Sequence, residues 1–173
     1  DEAMAYALAA GDIPHAVRIM ERMFPVLTDQ EIWRPLERWL AMMPAEVLQT
    51  PTLLIIQAAC HQFRNKFQAM LPLLAQAETG LAAEMSPHQY TSVELDRWRG
   101  ALLTLRALSI AQMGDVAERS KLASEALNLL PQNWLYMSGL AELSHILTLQ
   151  RTGYADEAVD FGQDCLLHSR GRP

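Results

Sequence analysis

The sequence predicts an all-α protein of about nine helices that pack as antiparallel neighbours. Half of the 173 residues are hydrophobic, and only 7% are aromatic. Apolar residues recur at helical spacing, and no stretch alternates Val, Ile and Thr in the way a strand does between turns. Glycines and prolines stand between the apolar segments, where they end one helix and allow the next to begin.

The first two helices are predicted on either side of a Gly-Asp turn. Residues 2–10 form a short apolar segment that stops at Gly11-Asp12. The second helix is predicted over 14–24, because a proline is tolerated in the first turn, where its missing N–H would have no partner. Pro25 is expected to end this helix, since a proline inside a helix removes a hydrogen bond and clashes with the preceding turn.

The third helix is predicted over 31–43, with Thr28 or Asp29 as its N-cap. Ile32 is expected to begin the apolar stripe of this helix. A Met-Pro pair then stops it, and the connector over 45–51 is expected to contain one short helical turn.

The fourth and fifth helices are predicted over 51–63 and 67–85. Only Asn65-Lys66 separates them, and so short a turn requires antiparallel neighbours. Pro72 lies about one turn into the fifth helix and predicts either a late start or a mild kink. Residues 84–90, which include a Ser-Pro break, are predicted to form a mobile loop.

The second half of the chain contains the most regular helix pair, between Leu103 and Asn133. Its first helix stops at Gly114-Asp115, and its second helix ends in Leu-Leu-Pro. Small residues at the crossing, Ala107 and Ala126, allow close approach of the two helices. The helices predicted in this half span 92–113, 116–130, 134–151 and 155–169.

The repeated Gly-Asp turn, the small crossing residues and the closing proline resemble a tetratricopeptide (TPR) repeat. The resemblance predicts a TPR-like superhelix, an α-solenoid formed by one domain over 1–173. The spacing is irregular, because Gly114 and Gly153 are 39 residues apart, whereas a strict TPR has a period of 34. The helical units of this degenerate array are predicted at about 2–24, 29–63, 67–85, 92–130 and 134–169.

Three segments carry a second resemblance, to the superhelical sensor region of the MalT-like, large LuxR-type bacterial transcription regulators. Tyr6 takes the place of the usual His before the first segment, and Met43 takes the place of the usual Leu before Pro44. The segments are Ala7-Leu8-Ala9-Ala10-Gly11-Asp12, Trp33-Arg34-Pro35-Leu36-Glu37-Arg38-Trp39-Leu40-Ala41-Met42-Met43-Pro44, and Phe67-Gln68-Ala69-Met70-Leu71-Pro72-Leu73-Leu74.

This resemblance implies that the chain is a fragment of a longer cytoplasmic regulator. It implies an ATP-binding domain upstream, a DNA-binding helix-turn-helix downstream, and a non-catalytic segment here that senses an effector or a partner. The chain contains no Gly-x-x-x-x-Gly-Lys-Ser/Thr phosphate loop, so no cofactor is expected in it. The expected partners are a small-molecule effector or a regulatory protein, and the neighbouring domains of the parent protein. A homodimer through the first or last helix stays open.

The alternative interpretation is a general TPR scaffold that binds a peptide or a protein. In either case the first helix of each unit would line the concave surface. The TPR groove positions fall on Thr52, Ile55 and Leu108, which are apolar or small. They also fall on a set of candidate binding residues: Gln62, Phe63, Thr104, Gln112, Gln150 and Arg151. The polar members of that set are equally consistent with solvated helix ends.

Composition argues against several other functions. The net charge of −6 and the pI near 5.3 oppose direct nucleic-acid binding, which depends on clustered Lys and Arg. No apolar stretch reaches the length of about 18–20 residues that spans a bilayer. Cys60 and Cys165 lie in apolar helical sequence and are expected to be buried thiols. Neither a metal site nor an enzyme is expected, because no CxxC or Gly-x-Ser-x-Gly motif is present.

Near the middle of the chain, Arg97 and Arg99 flank Trp98, and Trp134 follows a Gln-Asn pair. Aromatic rings beside arginine can stack on a flat ligand, but they also pack between helices. Both interpretations stay open from the sequence alone.

Overall fold

The computed structural model describes residues 2–83, 90–110 and 116–170, and only the backbone of 168–170. Within these ranges the regular structure is helical, which confirms the all-α prediction. Residues 84–89 of the loop predicted over 84–90 lie outside the described residues. The turn at Gly114-Asp115 and the predicted last residues of the fifth and sixth helices also lie outside them. A short 3-10 helix, Val47–Gln49, confirms the helical turn in the connector. The α-helices are α1 (Glu2–Ala9), α2 (Ile13–Asp29), α3 (Arg34–Met42), α4 (Pro51–Phe63), α5 (Phe67–Ala83), α6 (Ser92–Ile110), α7 (Val116–Leu129), α8 (Leu135–Arg151) and α9 (Ala155–Arg170).

Three of the predicted turns have the same left-handed geometry. Gly11, Asn65 and Gly153 have φ angles of +68°, +55° and +87°. In each turn, the N–H of this residue donates to the carbonyl three positions earlier, and the next N–H donates to the carbonyl five positions before it. These two bonds satisfy carbonyls that a helix end would otherwise leave without partners, and Gly and Asn adopt the required conformation at little cost.

The second helix extends past the predicted stop at Pro25 and ends at Asp29. A proline at this position cannot donate to the carbonyl of Glu21, so an acceptor is left inside the helix. Nη2 of Arg97 donates to the carbonyl oxygen of Glu21, at a distance of 3.4 Å. The continuation also buries Leu27 and Thr28. The prediction that Pro25 ends the helix was therefore wrong.

The third helix begins at Arg34, later than the predicted start at residue 31. Thr28 is buried inside α2, where its hydroxyl donates to the Phe24 carbonyl at 2.9 Å, so it does not cap α3. Glu31 forms a fourth left-handed turn, with φ +57° and the same two backbone bonds as the other three turns. Ile32 is 45% exposed and lies outside the buried stripe of α3.

Consecutive helices from α4 to α9 pack against each other along the chain. In addition, α4 contacts α6, and α6 contacts α8. The second helix contacts both α4 and α8. In a strictly linear repeat array each unit contacts only its neighbours, whereas the α2–α8 contact joins the first part of the chain to the last. The TPR-like superhelix therefore stays a prediction.

An aromatic cluster joins α2, α6 and α8 at the centre of the protein. Phe24 stacks on Trp98 with ring centroids 5.8 Å apart, and it meets the edge of Trp134 at 5.3 Å. Both tryptophans are 1% exposed. Nε1 of Trp134 donates to the Thr28 hydroxyl at 3.0 Å, so the buried indole N–H has its partner. The two tryptophans are thus packing residues between helices.

Candidate functional site

Gln62 and Phe63, the first two predicted binding residues, lie together at the end of α4. The Phe63 ring stacks between Trp33 and Tyr136, with centroid distances of 4.7 and 5.0 Å. The Tyr136 hydroxyl donates to Oε1 of Gln62 at 2.6 Å. Both faces of the Phe63 ring are therefore occupied by contacts within the protein. The two residues form a connection between α4 and the start of α8.

Of the remaining predicted residues, those that the structure describes do not surround Gln62 and Phe63. Thr104 is fully buried, and its hydroxyl donates to the Gly100 carbonyl at 2.9 Å. Gln150 and Arg151 are exposed at the end of α8, which is about 20 Å from its start at a rise of about 1.5 Å per residue. Gln112 lies outside the described residues. Two further groove positions, Thr52 and Ile55, are 2% and 0% exposed.

The structure instead presents a cleft of about 440 Å³ between the start of α2, the start of α4 and the start of α6. This volume lies within the range of about 300–1,000 Å³ typical of small-molecule sites. We call it the arginine cleft. Its apolar lining consists of Ile13, Pro14, Val17, Val47, Pro51 and Trp98, and its polar lining of Arg18, Glu21, Arg22, Thr50, Thr52, Tyr90, Glu94 and Arg97.

Both carboxylates of the arginine cleft already have partners in the protein. Oε1 of Glu21 accepts from the Tyr90 hydroxyl at 2.8 Å, and burial followed by the Glu21 charge holds the pKa of Tyr90 well above its ordinary value. Tyr90 is therefore a neutral donor. Glu94 accepts from the backbone N–H and the hydroxyl of Thr91, each at 2.8 Å, and these bonds lower the pKa of Glu94. The Glu94 N–H returns a bond to Thr91, which completes a capping box at the start of α6.

The guanidinium of Arg97 lies against two aromatic rings at the inner wall of the cleft. Its carbon atom is 5.4 Å from the Trp98 ring centroid and 5.7 Å from that of Trp134. Its Nε is buried and has no hydrogen-bond partner among the described residues. Burial lowers the pKa of Arg97, which stays positively charged because its ordinary value is 12.5. A fixed cation with unused donor capacity thus lies beside the cleft.

Two more arginines line the outer part of the cleft. Arg18 and Arg22 are one helical turn apart on α2, and both are exposed. Neither forms an ion pair with another residue in the described part of the chain. The start of α4 adds to the positive potential of the cleft. The Thr50 side chain does not accept a hydrogen bond from the backbone N–H groups in the first turn of this helix.

The arginine cleft has the composition of a binding site, because it combines apolar walls with a few convergent polar groups. Among the described residues, no group of three or more His, Cys, Asp and Glu side chains is arranged to hold a metal ion. In the same ranges of the chain, every helix is too short or too polar to cross a membrane. Cys60 is buried on α4, Cys165 is half-buried on α9, and no disulfide joins them.

The Cys60 thiol is expected to resist alkylation in the native protein. Burial first, and the nearby Glu37 second, raise its pKa from 9.0 to about 12. Because the thiolate is the reactive form, the native thiol should react at least about 100-fold more slowly than the thiol of the unfolded chain. A Cys165→Ser variant, labelled with iodoacetamide at pH 8 with and without urea, isolates this thiol.

The sign of this pKa shift also predicts a pH dependence. Between about pH 9 and 12 only the unfolded chain ionises the Cys60 thiol, so the native state loses stability as the pH rises through that window. Equal labelling rates with and without urea would contradict the burial of Cys60.

Local patterns in the sequence indicated only parts of the arginine cleft. Arg97 and Trp98, which the sequence left open as ligand-stacking or packing residues, line it, and the four-residue spacing of Arg18 and Arg22 is also common on solvated helix faces. Tyr90 and Glu21 are 69 positions apart, and Arg97 and the Glu21 carbonyl are 76 apart. The cleft results from the packing of α2 against α4 and α6, which sequence spacing does not encode.

Comparison with known proteins extends over nearly the whole chain. The chain is 29% identical over 170 residues to the HTH-type transcriptional regulator MalT of Cronobacter sakazakii, which is 98% of this chain and 18% of that protein. It is 30% identical over 137 residues to the HTH-type transcriptional regulator MalT of Yersinia enterocolitica, which is 78% of this chain and 14% of that protein. No family model matches the chain, and no solved structure matches it at a significant level.

These matches confirm the MalT-like part of the resemblance, while the assignment to a TPR-like sensor region stays a prediction. The chain spans less than a fifth of the length of either relative. It is a helical protein segment related in sequence to part of the MalT transcription regulators.

Proposed function

We propose that this chain is a non-catalytic, effector- or partner-sensing segment of a MalT-like, LuxR-type transcription regulator. The observation that carries the proposal is the similarity to MalT over 98% of the chain. The arginine cleft supports it, because its volume suits a small molecule and its lining combines apolar walls with convergent polar groups. We further propose that the helix pairs form a TPR-like superhelix in the longer protein.

In this proposal the remaining functions belong to other parts of a longer cytoplasmic protein. ATP would bind an upstream domain, and DNA would bind a downstream helix-turn-helix. The partners of this segment would be a small-molecule effector or a regulatory protein, together with the neighbouring domains, and a homodimer is a further option. The acidic charge of −6 supports the absence of direct DNA contacts by this segment.

A ligand in the arginine cleft would act on several helices at once. The cleft is lined by α2, α4 and α6, and α2 also packs against α8. A molecule that contacts all three lining helices binds best to one arrangement of them, and it shifts the population toward that arrangement. The α2–α8 contact would then pass the change toward the last part of the chain.

A thermal-shift screen of the purified chain against charged and uncharged metabolites tests the proposal. A ligand present at about 100 times its Kd stabilises the native state by about 2.7 kcal/mol, which raises the melting temperature by several degrees. We expect at least one compound to give a saturable increase of this kind.

A peptide array probed with the labelled chain serves as the second arm of that experiment. If no metabolite raises the melting temperature and a defined peptide binds instead, the general scaffold is favoured over the effector sensor. Gln62 and Phe63, at the half-buried aromatic stack, are then the first residues to substitute.

A further inference from the structure

We infer that the arginine cleft binds a small organic anion, either a carboxylate or a phosphate monoester, through Arg18 and Arg22. This inference rests on the proposed function for its biological role and names the chemical class of the effector. The cleft contains three arginines and two glutamates. Both glutamates are already occupied, one by Tyr90 and one by the capping box of α6.

The cleft has an excess of positive charge, because its three arginines outnumber its two glutamates by one. Arg18 and Arg22 are exposed, lie one turn apart and face the same cleft. Two guanidinium groups at this spacing can donate to one carboxylate or phosphate, in the charge-assisted bonds that arginine forms best. Arg97 adds a third positive charge at the inner wall, fixed in place by the two tryptophan rings.

The cleft also has apolar lining that can hold the body of the same molecule. Ile13 and Val17 come from α2, Val47 comes from the connector, and Pro51 comes from the start of α4. Removing an apolar group from water against these side chains adds affinity. The geometry thus suits an anion that carries a short aliphatic chain or one ring, within a volume of about 440 Å³.

Calorimetric titration of the purified chain with four probes tests this inference. Phenyl phosphate and hexanoate carry both features and separate the two head groups, inorganic phosphate carries the charge alone, and benzyl alcohol carries the ring alone. We expect one or both of the organic anions to bind most tightly. Their affinity should fall as the salt concentration rises, because the ion contacts are near the surface.

An Arg18→Ala/Arg22→Ala variant is expected to weaken that binding by at least about tenfold, since each charge-assisted bond contributes about that factor. The matched control is Arg34→Ala/Arg38→Ala, which removes two exposed arginines at the same spacing from α3. All four arginines are exposed, so both variants should fold, and their melting temperatures verify this.

Unchanged affinity in the Arg18→Ala/Arg22→Ala variant, or equal losses in both variants, would overturn the inference. Failure of all the anions, with an uncharged metabolite active in the thermal-shift screen, would overturn the anion class and leave the sensor proposal standing. Failure of the anions and of every metabolite would reject both.

Discussion

Replacing Trp134 with alanine is expected to lower the free energy of unfolding by about 3–5 kcal/mol, the usual cost of truncating a buried tryptophan. Trp134 is 1% exposed and contacts Phe24 edge to face. It also provides the partner for the Thr28 hydroxyl and part of the surface on which Arg97 lies. Since native domains have only about 5–15 kcal/mol of stability, this loss should be evident in urea unfolding followed by circular dichroism.

A second tryptophan supplies the control. Trp33 is half-buried and stacks on Phe63 at the protein surface, so Trp33→Ala should cost only about 1–2 kcal/mol. Similar losses for the two variants would contradict a central role for the cluster of Phe24, Trp98 and Trp134. A loss of unfolding free energy below about 1 kcal/mol for Trp134→Ala would also contradict a central role for this cluster.

Substitution by alanine is expected to destabilise the protein at Gly100 and to stabilise it at Gly139, although both glycines lie within helices. Gly100 is buried in α6, and a Cβ there would lie 2.9 Å from Cγ of Leu130 and 3.2 Å from its backbone nitrogen. Gly139 is exposed in α8, and a Cβ there would meet no atom within 4 Å. Gly139→Ala should therefore stabilise the protein by about 0.5–1 kcal/mol, through helix propensity alone.

Gly100→Ala gains the same stabilisation from helix propensity, but the overpacking of its Cβ against Leu130 costs about 1–3 kcal/mol. The unfolding free energies of the two variants should thus differ by about 1–3 kcal/mol in chemical denaturation. This difference measures how closely the end of α7 approaches α6. If both variants gained stability equally, the close packing of these helices would be incorrect.

The helix ends that were predicted well are those where one residue determines the backbone conformation. Gly11, Asn65 and Gly153 each adopt a left-handed conformation that their side chains permit, so the turns were visible in the sequence. The fourth helix was predicted with its observed bounds, Pro51–Phe63, because a proline begins it and Asn65 follows its end.

The helix ends that were predicted wrongly had no reliable local signal. Glu31 adopts the same left-handed turn, but a glutamate carries no local signal for it. The second helix passes through Pro25, where Arg97, far along the chain, donates to the carbonyl that the proline leaves unused. A contact distant in sequence overrode local propensity at Pro25.

The candidate site shows the same contrast between features with a local sequence signal and features that arise only from packing. The TPR groove positions included Gln62 and Phe63. In the structure Phe63 stacks with Trp33 and Tyr136, and Gln62 accepts a hydrogen bond from the Tyr136 hydroxyl. The arginine cleft combines side chains from α2, from the start of α4 and from the start of α6. No spacing rule connects these segments, so the cleft was found only in the folded protein.

The central claim is that a ligand binds in the arginine cleft and not at the end of α4. Nuclear magnetic resonance of the 19.4 kDa chain, labelled with ¹⁵N and titrated with phenyl phosphate, tests this directly. We predict saturable shifts that are largest for the backbone amide of Thr52 and for the Nε–H groups of Arg18 and Arg22. Shifts centred on Gln62 and Phe63, or a linear drift without saturation at the arginines, would contradict it.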